Sequence, residues 1–278
     1  MVVSTERFAV SGAGLGLRRD FLDEFSHQAL PAPVSFLEVA PENWMGLGGR
    51  YGKAFAALSE AHPFVCHGLS LSIGGPAPLD KAFIGQLKQF LDRHNIRCYS
   101  EHLSWCAGDA HLYDLLPIPF TEEAVAHVAG RVRQVQDMLE RPLALENVSY
   151  YAVADSQLSE IDFINAVLSE ADCQLLLDVN NIVVNATNHG YEPLTFLQAL
   201  PGQRIAYGHV AGHSQEDAEL LIDTHGAPVS DPVWALLAQA YRLHGPFPTL
   251  LERDFNLPPL PELLAETAQI TRLQDAWQ

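Results

Sequence analysis

The chain has 278 residues, 48% of them hydrophobic, enough to bury one large core without a second domain. Its 34 acidic against 16 basic residues leave a formal charge of −18, which repels a phosphate backbone and sets nucleic acid aside as the main partner. Met1 to Phe8 carry Ser4, Thr5, Glu6 and Arg7 where a signal peptide needs an apolar run, and no stretch approaches a membrane span, so a cytoplasmic location with no membrane attachment is expected.

In chain order, short apolar runs rich in β-formers alternate with amphipathic stretches, the pattern of βα units around a parallel sheet. Eight strands are expected, over residues 8–15, 34–39, 63–67, 96–102, 142–147, 173–179, 204–210 and 247–252. Phe83, Leu87, Phe90 and Leu91 make a buried helical stripe before the fourth strand. After it, Thr121 is placed to cap a helix whose Glu122 and Glu123 suit the positive end of the dipole. Val125, Val128, Val132, Val135 and Leu139 mark that helix's buried face. The connection over residues 211–230 is long for this architecture, and long loops on barrels often carry function. A last helix should begin near Pro258 to Pro261. The expectation is an α/β fold, a (β/α)₈ TIM barrel, with residues 1–278 as a single domain.

The chemistry-bearing residues fall at the strand ends, which in such a barrel converge on one mouth. The second strand runs into Glu38 and then Glu42-Asn43; the third ends at His67 and the fourth at Glu101-His102. The fifth ends at Glu146-Asn147, the sixth at Asp178 with Asn180-Asn181, the seventh at His209 and the eighth at Glu252-Arg253-Asp254. One strand-end carboxylate or histidine is ordinarily a cap or a hydrogen-bonded rim residue. Seven in succession point to a site. Imidazole, carboxylate and amide without thiolate suit Fe, Mn, Zn or Mg, and several facing carboxylates repel unless cations sit among them, so more than one metal is expected. Asp178 and Asn181, three apart, can reach one ion. Asp223 and His225 form a second compact pair, which alone reads equally well as a turn aspartate beside a surface histidine.

Other features carry less. Only three lysines occur, Lys53, Lys81 and Lys88, all in or leading into helical segments, so a Schiff-base mechanism has no good candidate; twelve histidines point instead to metal. Cys66, Cys98, Cys106 and Cys173 have no C-x-x-C spacing and read as buried thiols. His209 to His213 has the two histidines of a zinc-protease helix but lacks its Glu, and Gly212 disfavours a helix; His213 stands as an accessory ligand or a support to one. Gly12, Gly14 and Gly16 have the spacing G-x-G-x-G, better suited to close backbone approach in a barrel strand than to a dinucleotide loop.

Ten blocks in order over nearly the whole chain resemble the multinuclear non-haem iron-dependent oxidative enzymes, the family that includes the oxidase of methanobactin biosynthesis. They begin at Gly12-Ala-Gly-Leu-Gly-Leu-Arg18, Glu38-Val-Ala-Pro-Glu-Asn-Trp44, His67-Gly-Leu-Ser-Leu-Ser-Ile-Gly74, Ser100-Glu-His-Leu-Ser-Trp105 and Leu145-Glu-Asn-Val-Ser149. Asp178-Val-Asn-Asn181, Asn188-His-Gly190, His209-Val-Ala-Gly-His213, Asp223-Thr-His225 and Leu251-Glu-Arg-Asp254 complete the series. The resemblance implies a xylose-isomerase-like barrel holding two or three iron ions. It implies that His67 and His102 bind one iron, and that Glu146 bridges to a second held by Asp178, His209 and Glu252. A third site would use Asn181, Asp223 and His225, assisted by Asp178 or His213, and His189 would give outer support. Glu146, Asp178 and His209 would then be the residues at the chemistry. Dioxygen would be co-substrate. The substrate would be a cysteine of a ribosomally made precursor peptide, whose carbon–sulfur framework is oxidised and rearranged, and a small partner protein would present it. Two other readings stay open: a non-redox divalent-metal barrel of sugar-isomerase or phosphodiesterase type, and a non-catalytic peptide- or metal-binding module.

Overall fold

The computed structural model describes residues 7–25, 29–107, 111–152 and 156–277. In chain order its strands are β1 (Ala13–Gly16), β2 (Val34–Val39), β3 (Phe64–Gly68), β4 (Tyr99–His102), β5 (Trp105–Ala107), β6 (His111–Leu116), β7 (Leu143–Glu146), β8 (Gln174–Asp178), β9 (Ile205–Val210), β10 (Ser214–Asp217), β11 (Leu220–Ile222) and β12 (Thr249–Leu251). Eight of these close into a barrel in the order β1-β2-β3-β4-β7-β8-β9-β12, every neighbouring pair parallel. The helices are α1 (Leu22–Phe25), α2 (Gly49–Ala61), α3 (Lys81–Arg93), α4 (Glu122–Leu139), α5 (Glu160–Ala171), α6 (Val179–His189), α7 (Pro193–Ala199), α8 (Asp231–His244) and α9 (Leu260–Asp275). This is the expected α/β barrel. All eight strands fall within a few residues of their predicted places.

The helices form where capping and apolar spacing agree. The Thr121 hydroxyl accepts from the Ala124 N–H at 3.1 Å, and Val125, Val128, Val132, Val135 and Leu139 are all buried in α4. Helix α6 starts without any loop: Asp178 ends β8, and its Oδ1 accepts the Asn181 N–H at 2.6 Å, so one carboxylate terminates the strand and caps the helix. Pro261 sits in the first turn of α9, as predicted.

The period of two along each strand builds the barrel interior in layers. Phe36, Val65, Cys98, Ala144, Leu176, Tyr207 and Leu250 form a separate buried apolar cluster, one residue from each of seven strands or their lead-ins. Two residues further along the same chain segments come Glu38, His67, Ser100, Glu146, Asp178, His209 and Glu252. The polar set is therefore the next inward-facing layer, about 6.6 Å nearer the mouth. An apolar plug closes the barrel beneath it. Gly14 permits this packing: a Cβ there would overlap the Phe36 ring.

Three expectations change in detail. β1 begins at Ala13 rather than residue 8, although Val10 still packs into the inner cluster. β4 begins at Tyr99 rather than residue 96. The connection over residues 211–230 is not structureless, because β10 and β11 pair as an antiparallel hairpin. A second hairpin, β5 with β6, follows β4. Among the described residues no helix is long and apolar enough to cross a membrane.

Candidate metal centre

Strand register brings the ligand residues together. His102 lies opposite Glu146 in the β4–β7 pairing, and Asp178 lies opposite His209 in the β8–β9 pairing. Among the described residues, three groups of side chains converge closely enough to hold an ion: His67, His102 and Glu146; Glu146, Asp178, His209 and Glu252; and His225, Glu252 and Asp254. Glu146 is common to the first two and Glu252 to the last two, so the groups form a chain across the mouth.

In the first group, Nε2 of His67 lies 3.1 Å from both Nε2 of His102 and Oε2 of Glu146, and His102 Nε2 lies 3.3 Å from the same oxygen. His102 donates its Nδ1–H to the Gly68 carbonyl at 2.9 Å, which leaves the Nε2 lone pair facing inward. Without a cation, a proton must occupy this space. Burial lowers the pKa of His67, but Glu146 outweighs it and raises the ring to about 9. Burial and the neighbouring His67 hold His102 down at about 4. Glu146 is brought to about 2, its burial outweighed by His102 and His67.

The second group is more crowded and less satisfied. Nδ1 of His209 faces Glu252 Oε2 at 2.9 Å, an ion-pair distance without the alignment of a hydrogen bond, and lies 4.0 Å from Asp178 Oδ2, beyond hydrogen-bond reach. Burial and the nearby Glu146 push Asp178 well above the usual carboxylate range. His209 Nδ1 and Glu252 Oε2 face each other, and His225 Nε2 faces Asp223, at ion-pair distance without a hydrogen bond's alignment, while among the described residues Asp178 Oδ2 and Asn181 Oδ1 are buried with no hydrogen-bond partner. Such atoms ordinarily cost about 1–3 kcal/mol each. Hard and borderline donors of this kind, crowded at one mouth, fit divalent cations in the gaps between the groups.

The third group extends toward solvent. His225 adopts a left-handed backbone, φ 49°, uncommon for a residue other than glycine, and its carbonyl accepts the Asp254 N–H at 2.9 Å. Its Nε2 is 2.7 Å from Asp223 Oδ1, and its Nδ1 is 3.4 Å from Glu252 Oε2. Asp223 is held in place by Ser149, which donates to Oδ2 at 2.9 Å, and by Asn180, which donates to Oδ1 at 2.8 Å.

Most of the predicted residues therefore meet. His67, His102, Glu146, Asp178, His209 and Glu252 share two adjoining groups, with Asn181 beside them: its amide donates to the Asn147 carbonyl at 3.1 Å and to Glu146 at 3.3 Å. Asp223 and His225 pair as expected. His213 stands further out, its Nδ1 2.7 Å from Asn180 Oδ1, so it reaches Asp223 through Asn180. His189 stacks on Tyr150 and bonds its carbonyl, outside the three groups. Cys106 is buried against the Leu69 carbonyl, and burial raises its thiol pKa, as a structural cysteine requires. Asp254 was not foreseen as a ligand. Glu38, a strand-end carboxylate left out of the expected set, contacts His209 instead; the sequence showed both at strand ends but not the partners they meet.

Comparison with known proteins identifies a family and a fold for the chain. The family described as "RiPP precursor modification enzyme MbnB/TglH/ChrH" matches residues 12–275. A protein of Shewanella amazonensis, named only as a UPF0276 protein, is 62% identical over 264 residues, 95% of each chain. Among solved structures, a 3-keto-D-glucoside 4-epimerase from E. coli superposes with TM-score 0.62 at 14% identity, covering 94% of this chain and 98% of that one. Endonuclease IV from Thermus thermophilus gives TM-score 0.60 at 16% identity, over 96% and 98%. Xylose isomerase domain proteins give similar values, so these likenesses place the fold as a xylose-isomerase-like TIM barrel.

Proposed function

The chain belongs to the MbnB/TglH/ChrH family of RiPP precursor modification enzymes, and from that premise we propose that it is a multinuclear non-haem iron oxidase acting on a peptide cysteine with dioxygen. The observation that carries the reading is the convergence of buried histidines and carboxylates around His209, with Asp178 Oδ2 and Asn181 Oδ1 left without a hydrogen-bond partner among the described residues. A barrel mouth that served only structure would pair or replace them.

In this reading His67, His102 and Glu146 would hold one iron, and Asp178, His209 and Glu252 a second, Glu146 being common to both groups. Asn181, Asp223 and His225 serve a third, with Asp254 beside them. Bound iron supplies the one-electron chemistry through which dioxygen accepts electrons from a cysteine thiolate. The chain's own contribution is positional. The apolar plug of Phe36, Leu176, Tyr207 and Leu250 excludes water from below. The Gly68 carbonyl keeps the His102 proton on Nδ1 and away from the centre. The mouth offers exposed Phe255 and Tyr151, 66% and 50% accessible, and a cavity of about 580 Å³ shares Asp223 and Phe255 as walls. Apolar rim groups next to a buried centre suit a peptide segment better than a free sugar. A small presenting protein accompanies the peptide in this reading.

Protein expressed in iron-rich medium and loaded anaerobically should carry two to three irons per chain. It should consume dioxygen only with the cysteine-containing peptide encoded beside its gene, and a Cys→Ser peptide should abolish consumption. If iron-loaded protein never consumes oxygen with that peptide, or retains only zinc or magnesium from such medium, the oxidase reading fails and a non-redox metal enzyme takes its place.

A further inference from the structure

Glu38 and Ser100 in the ligand layer, and Tyr207 in the layer below it, are buried polar side chains that no ligand role uses, and they link two of the ligands, His209 and His67. His209 directs Nε2 at both carboxylate oxygens of Glu38, 3.1 Å from each. Tyr207 donates its hydroxyl to Glu38 Oε2 at 2.6 Å. Ser100 Oγ is 2.7 Å from that same hydroxyl and 2.8 Å from Nδ1 of His67. Tyr207, Ser100 and His209 are fully buried, and Glu38 is 6% exposed. Glu38 belongs to none of the three convergent groups.

Donor and acceptor chemistry orders this line. A carboxylate only accepts, so both His209 Nε2 and the Tyr207 hydroxyl must give Glu38 their protons. The Tyr207 oxygen is then free to accept from Ser100, and the Ser100 oxygen to accept the Nδ1–H of His67. Ser100 has a second acceptor in the Cys66 carbonyl at 3.3 Å, and with its proton given to either oxygen it still accepts from His67. This order leaves His67 with an unprotonated Nε2 toward His102 and Glu146 whenever a cation is there, and His209 with Nδ1 toward Asp178 and Glu252. The two histidines thus present opposite ring nitrogens to their metals, and one hydrogen-bonded chain accounts for both choices.

We propose that Glu38, clamped by Tyr207, is the positioning residue that presents Nδ1 of His209 to metal, and that Ser100 extends the same buried chain to fix Nε2 of His67. The proposal rests on the reading that these groups hold metal ions. Its test uses the full chain with histidine ¹⁵N labels, zinc as a diamagnetic probe, and the variants Glu38→Ala, Glu38→Gln and Tyr207→Phe, each confirmed folded by circular dichroism.

In zinc-loaded wild type, long-range ¹H–¹⁵N spectra should show His209 protonated at Nε2 and metal-bound at Nδ1, and His67 the reverse. Glu38→Ala should weaken zinc at the His209 position by about 10–100-fold while changing the His67–His102 position less than threefold. Glu38→Gln, which retains an acceptor oxygen, should recover much of that loss, and Tyr207→Phe should fall between wild type and Glu38→Ala. Metal bound at Nε2 of His209, or equal losses at both positions with no rescue by glutamine, would overturn the proposal. The Glu38 contact is present without metal, so a slowly exchanging Nε2 proton on His209, lost in Glu38→Ala, decides the network even if wild type takes up no zinc. Failure of zinc uptake alone would sink the metal reading instead.

Discussion

The floor of the barrel and its mouth treat buried polar groups in opposite ways. On the floor, the Thr249 hydroxyl accepts from Tyr241 at 2.6 Å and donates to the Phe247 carbonyl at 3.2 Å. The Gln274 amide donates to the carbonyls of Gly12 and Phe247 at 3.1 and 2.9 Å, tying α9 under β1 and β12. At the mouth, Asp178 buries an oxygen with no hydrogen-bond partner among the described residues, and His209 and Glu252 face each other at 2.9 Å without a hydrogen bond's alignment. Floor polar groups stabilise the chain by themselves, whereas mouth groups destabilise it until a cation arrives. That difference separates a structural polar group from a functional one without any knowledge of the reaction.

Asp178→Asn tests the contrast most severely. Asparagine keeps an oxygen to cap Asn181 and replaces a carboxylate crowded against Glu146 with an amide that can donate to its acidic neighbours. Metal affinity at the His209 position should fall by more than the roughly 10–100-fold that loss of an outer partner costs. The metal-free chain should become more stable by about 1–3 kcal/mol, read by chemical denaturation in the presence of chelator. A metal-free variant less stable than wild type would erase the distinction between mouth and floor.

Glu160 asks whether location or pairing matters. It is buried on the mouth side, but it accepts from Tyr150 at 3.1 Å and from Asn185 at 3.0 Å. Burial outweighs those bonds and raises its pKa from 4.5 to about 7. Because the folded value is the higher, its contribution is complete below pH 4.5 and is lost as pH rises through 7. The difference in unfolding free energy between wild type and Glu160→Gln should therefore shift against wild type between pH 5 and 8, by up to roughly 3 kcal/mol. Metal content should not change. A flat difference across that range would mean that the site is hydrated enough to keep Glu160 ionised.

The sequence and the structure agree most closely where one residue carries its own evidence. The eight strand runs and the α4 stripe were legible because burial repeats with a fixed period, and the ligand residues because each strand turned polar at its end. Three things were not legible. The β10–β11 hairpin begins with Ser214-Gln-Glu-Asp217, which shows none of the apolar alternation of a half-buried strand and is defined by backbone pairing alone. The role of Glu38 depends on β2 facing β9 across the barrel interior, a distance in sequence of 171 residues. Asp254 presents the same difficulty, since its approach to His225 depends on a left-handed turn in a different loop.

The smallest effect is expected on the floor, and it is the control for all the others. Tyr241→Phe removes one donor from Thr249 while leaving the ring in place against Phe247, 4.9 Å between centroids. Thr249 still donates to the Phe247 carbonyl, so no buried donor is orphaned. The loss should be about 1 kcal/mol, a few degrees in melting temperature at most, with metal content and oxygen consumption at wild-type values. Because Thr249 pairs with Gly208 in the next strand, immediately before His209, a floor that communicated with the centre would show it here first. A change in metal stoichiometry in this variant would mean that the apolar layer between them transmits strain, and that the two ends of the barrel are not independent.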